Sequence, residues 1–267
     1  MKYYKFFTFL LVILLTMVEF VYSDTAPKAS IDKSQINKGI VTLSCVSDKT
    51  IKVIIEKVGK NYTYDLKNNG KKENFPLQLG NGDYNITVLE NIIDTKYSAI
   101  YSEKVNLNIK DSNVVFLSSI QNINWNRTMK AITKSKSLTK NKLKDSDKIR
   151  IIYNYVIKNY KYDYKKAKYV KGGYIPAIDR TFKEKKGICY DYSSLLASML
   201  RSSGIPTRLV KGYTNNVNGY HAWNEVYLKS SGRWVTVDST YDSIMKLAKQ
   251  RYKFEKNGAI YSNSYLY

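Results

Sequence analysis

Apolar and polar positions alternate with a period of two through much of the first hundred residues. Tyr84, Ile86 and Val88 are separated by Asn85 and Thr87, and Val105, Leu107 and Ile109 by Asn106 and Asn108. Such alternation predicts half-buried strands. Residues 41–46 and 51–55 read the same way, with clusters at 68–70 and 80–83 as turns. The period then changes. Ile149, Ile152, Tyr153, Val156, Ile157 and Tyr160 recur at spacings of three and four, one stripe of a helix with Ser146 as its expected N-cap. Tyr192, Leu195, Leu196, Met199, Leu200 and Ser203 mark the inner face of a second helix, which Gly204, Ile205 and Pro206 stop. Residues 222–228 and 233–237 then form two strands of a hairpin around a four-residue turn, Lys229 to Gly232.

Short strands between turn clusters suggest a small β-sandwich over residues 24–110. The G-x-Y-x-I-x-V pattern at 82–88 resembles late strands of immunoglobulin-like modules. Residues 111–147 are mixed: Trp125 is the expected anchor and 130–144 a strongly basic helix and loop. At the start, Lys2 and Lys5 precede an apolar run from Phe6 to Val18, with Ser23 at the expected cleavage position. Residues 1–23 therefore read as a secretory signal peptide, too short for a full span, with an uncleaved anchor as the alternative. No later stretch is apolar and long enough to cross a bilayer, so no membrane span is expected after cleavage.

The chain of 267 residues has a formal net charge of +22. Such a surface is drawn to polyanions. For an exported protein these are anionic wall polymers and lipid head groups, although a solvated basic surface explains the charge as well. No zinc-finger, ribonucleoprotein or basic-zipper pattern is present, so no specific nucleic acid is expected. One histidine and two distant cysteines make no zinc site, and Asp83, Asp191 and Asp242 fit no calcium loop. No cofactor or metal is expected.

The single histidine, His221, lies between Cys189 and Asp238 in sequence order. Stepping back three residues from Tyr192 places Cys189 at the helix start, on the inward face. Unpaired N–H groups and the positive end of the helix dipole favour a thiolate there and can hold an oxyanion. Gly187 permits a tight approach and leaves room for a substrate. The even-numbered hairpin turn puts Asp238 diagonally across from His221 on one face, within hydrogen-bonding reach; a one-residue slip would separate them. Three plain structural roles compete with this one: core packing of the helix, a packed histidine beside Trp223, and Asp238 as a turn former. A Cys45–Cys189 disulfide competes as well.

The three motifs G-I-C-Y-D-Y, Y-H-A-W-N-E-V and V-D-S-T-Y-D, with residues 173–179 upstream, resemble the transglutaminase-like superfamily, whose core is similar to papain-type cysteine peptidases. The resemblance spans about residues 145–242 and departs at Ser239, where many relatives carry proline. Together with the small immunoglobulin-like β-sandwich read from the N-terminal strand pattern, it implies an α+β fold, with a papain-like, transglutaminase-like α+β domain over residues 111–267. It implies Cys189 as nucleophile, His221 as base and Asp238 as the group that orients it. The Cys189 N–H is the expected oxyanion donor; Tyr162 and Trp223 are weaker candidates for which packing competes. The expected activity is acyl transfer on amides through a thioester, giving a transglutaminase or a cysteine peptidase. Expected substrates are extracellular or cell-wall proteins and peptides, for a secreted or wall-associated enzyme. The alternative is a non-catalytic wall-binding protein that retains the fold.

Overall fold

The computed structural model describes residues 28–267. The leader expected at residues 1–23 lies outside the described residues. The first half is built of antiparallel strands: β1 (Lys28–Asp32), β2 (Ile40–Val46), β3 (Ile51–Lys57), β4 (Lys60–Leu66), β5 (Glu73–Pro76), β6 (Gly82–Ile93) and β7 (Lys96–Leu107). They form a three-stranded sheet, β1-β2-β5, and a four-stranded sheet, β4-β3-β6-β7. The period of two explains their burial. Ile51, Val53 and Ile55 of β3 and Tyr84, Ile86 and Val88 of β6 point inward, and their intervening neighbours do not.

The second half contains α1 (Lys130–Thr139), α2 (Asp145–Asn159), β8 (Lys161–Tyr162), α3 (Tyr164–Tyr169), α4 (Ile178–Glu184), β9 (Lys186–Gly187) and α5 (Cys189–Arg201). It continues with β10 (Thr207–Thr214), β11 (Val217–Leu228), β12 (Arg233–Val237), α6 (Ser239–Leu247) and β13 (Tyr261–Leu266). The last four strands form one antiparallel sheet in the order β12-β11-β10-β13. Helix α5 packs on β10 and β11, and α2 packs on α5 and α6. The mixed helix-and-strand architecture is the one expected.

Helix α2 buries the stripe read from the sequence, including Ile149, Ile152, Val156 and Tyr160. Its start differs: Lys144, not Ser146, occupies the N-cap position, without a side-chain cap bond. Asp145 and Asp147 in the first turn still complement the helix dipole. Basic helix α1 is buried on one side, where Ala131, Ile132 and Ser135 face the core and the Ser135 hydroxyl lies 2.7 Å from the Met199 carbonyl.

The two halves share one apolar core. Ile188, Tyr190, Ala197, Leu209, Ala222 and Tyr267 pack in the same cluster as Val53, Tyr64 and Phe75. Buried Arg201 reinforces this seam, donating to the carbonyls of Thr207, Ser118 and Tyr267 at 2.8, 2.7 and 3.1 Å. The start of α5 is therefore held from both sides.

Candidate active site

Cys189 is the first residue of α5, partly exposed, with Ile188 as its N-cap. The first helical bond runs from the Tyr192 N–H to the Ile188 carbonyl, at 3.1 Å, so the N–H groups of the first turn are not consumed by the helix. A parallel two-strand contact fixes the approach: Lys161 pairs with Lys186, and Tyr162 with Gly187. Gly187 has a different reason from the expected one. A Cβ there would lie 2.5 Å from the Cβ of Asp191, so the space a side chain would need holds Asp191 and not a substrate.

Asp191 is the first site residue that the motif reading missed. Its carboxylate is fully buried, accepts the Ile188 N–H at 2.9 Å and the Tyr174 hydroxyl at 2.5 Å, and is paired with Lys166 at 2.6 Å. An acid at the third helical position, reaching back to the N-cap N–H, was the available signal. The residue locks the turn that presents Cys189.

The hairpin has the expected register, Leu228 opposite Arg233 and Asn224 opposite Val237. Strand β12 ends at Val237, and Asp238 caps helix α6. The Nε2 of His221 lies 2.8 Å from Asp238 Oδ2, with His221 3% and Asp238 0% exposed. The other carboxylate oxygen, Oδ1, accepts the Tyr241 N–H at 2.9 Å. The turn-former role weighed against the orienting role is thus filled by the same side chain. Tyr261 donates its hydroxyl to Oδ2 at 3.1 Å. Sequence spacing carried no signal for Tyr261, which reaches Asp238 because β13 lies beside β10.

With Nε2 engaged by Asp238, Nδ1 is the ring nitrogen left for Cys189. Burial pulls the His221 pKa down, but the Asp238 hydrogen bond and the nearby Cys189 and Asp238 charges outweigh it, and the ring is pushed up to about 10. Trp223 stacks beside His221, with ring centroids 6.2 Å apart, and meets Tyr261 edge-on. Trp223 is fully buried, and its Nε1 has no partner among the described residues. Tyr162 is half-buried; burial, and then the charge of Cys189, push its hydroxyl up to about 12. It stays a neutral donor near the thiol. Cys45 is buried within β2, and both cysteines are free thiols. Among the described residues no group of three His, Cys, Asp or Glu side chains converges as a metal site would require.

Residues 132–239 match the family model of the Transglutaminase-like superfamily. Seventy-five residues are 41% identical to the uncharacterized protein YebA of Bacillus subtilis, covering 22% of this chain and 10% of that protein. A protein-glutamine gamma-glutamyltransferase of Pseudomonas aeruginosa is 36% identical over 75 residues, covering 24% of this chain and 11% of the relative. The chain thus spans about a tenth of the length of these two curated relatives. Among solved structures, the periplasmic domain of TgpA from Pseudomonas aeruginosa is 15% identical, with a TM-score of 0.37, covering 79% of this chain and 76% of that one.

Proposed function

We propose, from the premise that residues 132–239 are a transglutaminase-like domain, that this chain is a thiol-dependent acyl-transfer enzyme acting on amide or peptide bonds. The observation that carries the reading is the buried His221–Asp238 pair at 2.8 Å, beside a cysteine at a helix start. His221 Nδ1 takes the Cys189 proton, the thiolate attacks the amide carbonyl, and the imidazolium gives that proton to the departing amine, leaving a thioester. A second nucleophile then loses its proton to His221, attacks the thioester and releases the Cys189 thiolate, restoring the starting pair. Asp238 holds the ring in one orientation and balances its positive charge. The Cys189 N–H receives the developing oxyanion, with the neutral Tyr162 hydroxyl as a second donor.

Water as the second nucleophile makes the protein a cysteine peptidase; a lysine amine makes it a transglutaminase. Both outcomes use the same three residues. We read the N-terminal sheets as an immunoglobulin-like module, and the apolar leader with the charge of +22 as marks of an exported protein working on extracellular or wall proteins.

The test is incubation with a glutamine-containing protein and a fluorescent primary amine, comparing the native chain with Cys189→Ala. Amine incorporation that requires Cys189 supports cross-linking, and fragments that require Cys189 support hydrolysis. Neither product, from a Cys189 that alkylates no faster than a free thiol, defeats the reading.

A further inference from the structure

A cavity of about 150 Å³ lies where the N-terminal sheets meet the β10–β11 sheet. Tyr64, Gln121, Tyr174, Tyr190 and Tyr267 line it, together with one cation, Lys211. It lies beside the first turn of α5. Tyr190 follows Cys189 at the start of α5, and Lys211 stands opposite Ala222, the neighbour of His221. The charges of Lys211 and Cys189 act on each other.

Lys211 is half-buried, with Nζ 3.6 Å from the Tyr190 ring centroid and 5.4 Å from that of Tyr267. Aromatic faces attract an ammonium but accept none of its three hydrogen bonds well. Among the described residues no carboxylate lies within ion-pair distance of it. Asp65, the acid in the same lining, is taken by Lys52 at 2.6 Å. The Tyr174 hydroxyl is committed to Asp191, and the Gln121 amide to the Asp65 carbonyl. Burial lowers the Lys211 pKa to about 8, against the pull of Cys189. An ammonium in this position has lost part of its hydration without gaining an anion. A carboxylate entering with a substrate would supply one, through a charge-assisted hydrogen bond.

We propose that Lys211 binds a carboxylate of the acyl donor, so that the enzyme selects amides next to an acidic side chain or a free chain terminus. The N-terminal sheets, through Tyr64, then form one wall of the specificity pocket. This inference rests on the reading of Cys189 as the nucleophile.

Iodoacetate and iodoacetamide test it on the full chain, because both lose iodide to the same sulfur and differ in one charge. Alkylation is followed on the Cys189 peptide by mass spectrometry, apart from Cys45. In Lys211→Met the iodoacetate-to-iodoacetamide rate ratio falls about tenfold, the size of one charge-assisted contact. The iodoacetamide rate falls by a smaller factor, through the charge lost near the thiol, and Lys211→Arg keeps the ratio, because the ratio reports only the anion contact. An unchanged ratio with fast iodoacetamide labelling overturns the carboxylate role and leaves the nucleophile reading intact. Equal loss of both rates also overturns it, since Lys211 would then be acting on the thiol alone. If iodoacetamide labels Cys189 no faster than a free cysteine, the underlying reading falls and this inference with it.

A second measurement needs no variant. Succinamate should protect Cys189 of the unsubstituted protein from iodoacetamide at lower concentration than succinamide, and equal protection overturns the proposal. Two short peptides separate the carboxylate sources: one with an aspartate and an amidated end, one with alanine and a free end. Better protection by either supports the proposal and identifies the source; a peptide with neither carboxylate protecting as well overturns it.

Discussion

Tyr261 and Asp238 meet at 3.1 Å, the tyrosine hydroxyl donating to the same Oδ2 that lies 2.8 Å from His221. That oxygen is buried, so each partner helps fix its position. Tyr261→Phe removes one donor and keeps the ring that packs edge-on against Trp223. Loss of about 1 kcal/mol of stability is expected, the usual net value of one hydrogen bond. The iodoacetamide rate at Cys189 should fall less than about tenfold, because the His221 contact survives. A rate identical to native, with native stability, would remove Tyr261 from the site.

Asp238 has two separable duties, one on each oxygen. Oδ1 caps α6 through the Tyr241 N–H, and Oδ2 holds His221. Asparagine caps helices as well as aspartate does, but its neutral amide cannot balance an imidazolium. Asp238→Asn should therefore keep the cap but unfold at lower denaturant than native, because the buried ring loses its anion, while Cys189 alkylation slows by about 100-fold or more. Asp238→Ala should slow it similarly and lose about 1 kcal/mol more than Asp238→Asn, from the missing cap. If Asp238→Asn alkylates at the native rate, the carboxylate has no part in activating the thiol.

The parts of this site that were legible in the sequence are those set by local rules. The four-residue turn fixes the register that brings His221 and Asp238 together, and an apolar helix stepped back from Tyr192 puts Cys189 at its start. The face of α2 was readable for the same reason. What was hidden depends on packing between distant segments. Tyr261 reaches Asp238 only because β13 adds to the edge of β10, and no spacing encodes that. Lys211 reads as one more surface lysine until Tyr190 and Tyr267 close over it. Gly187 was read as leaving space for substrate because the neighbour that fills the space, Asp191, is placed by helix geometry. Strand β4, with Tyr62, Tyr64 and Leu66 in alternation, was readable in principle but is diluted by lysine and asparagine.

Gly212 stands opposite His221 in the β10–β11 ladder, and a Cβ there would lie 1.9 Å from the Ser262 carbonyl oxygen and 2.9 Å from the Trp223 ring. Neither backbone nor a fully buried indole can yield cheaply. Gly212→Ala should displace β13 and with it the Tyr261 hydroxyl. The expected result is a loss of about 2 kcal/mol or more in denaturant unfolding, the range of an overpacked core site, together with slower Cys189 alkylation. Native stability would show that β13 is not held tightly against β10.

Asp191 predicts a different signature, because it supports the nucleophile without touching the histidine. Removing its charge leaves Lys166 without its anion and the Ile188 N–H and Tyr174 hydroxyl without a strong acceptor. Asp191→Ala should cost roughly 3 kcal/mol, as when one partner of a buried pair is deleted. Asp191→Asn keeps an acceptor and should recover part of that. Equal stability of the alanine, asparagine and native chains in denaturant would show that this network does not hold the turn.

The sign of the pH dependence follows from His221. Its folded pKa is raised to about 10 from an ordinary 6.5, so the folded state holds a proton that the unfolded state releases. The stabilisation is fully present below the unfolded value and is lost as pH rises through the folded one. Asp242, raised to about 6 by burial, titrates below this window, while Lys211, lowered to about 8, titrates inside it with the opposite sign. A difference measurement cancels both. Stability of Cys189→Ser minus that of Cys189→Ser with His221→Ala should fall as pH rises from about 6.5, because only the histidine proton differs between the two. Part of what raises the ring comes from Cys189, so the fall in this background should finish below the native value of about 10. A flat difference from pH 6.5 upward would mean that the buried ring is neutral when folded, and that Asp238 does not hold it as an imidazolium.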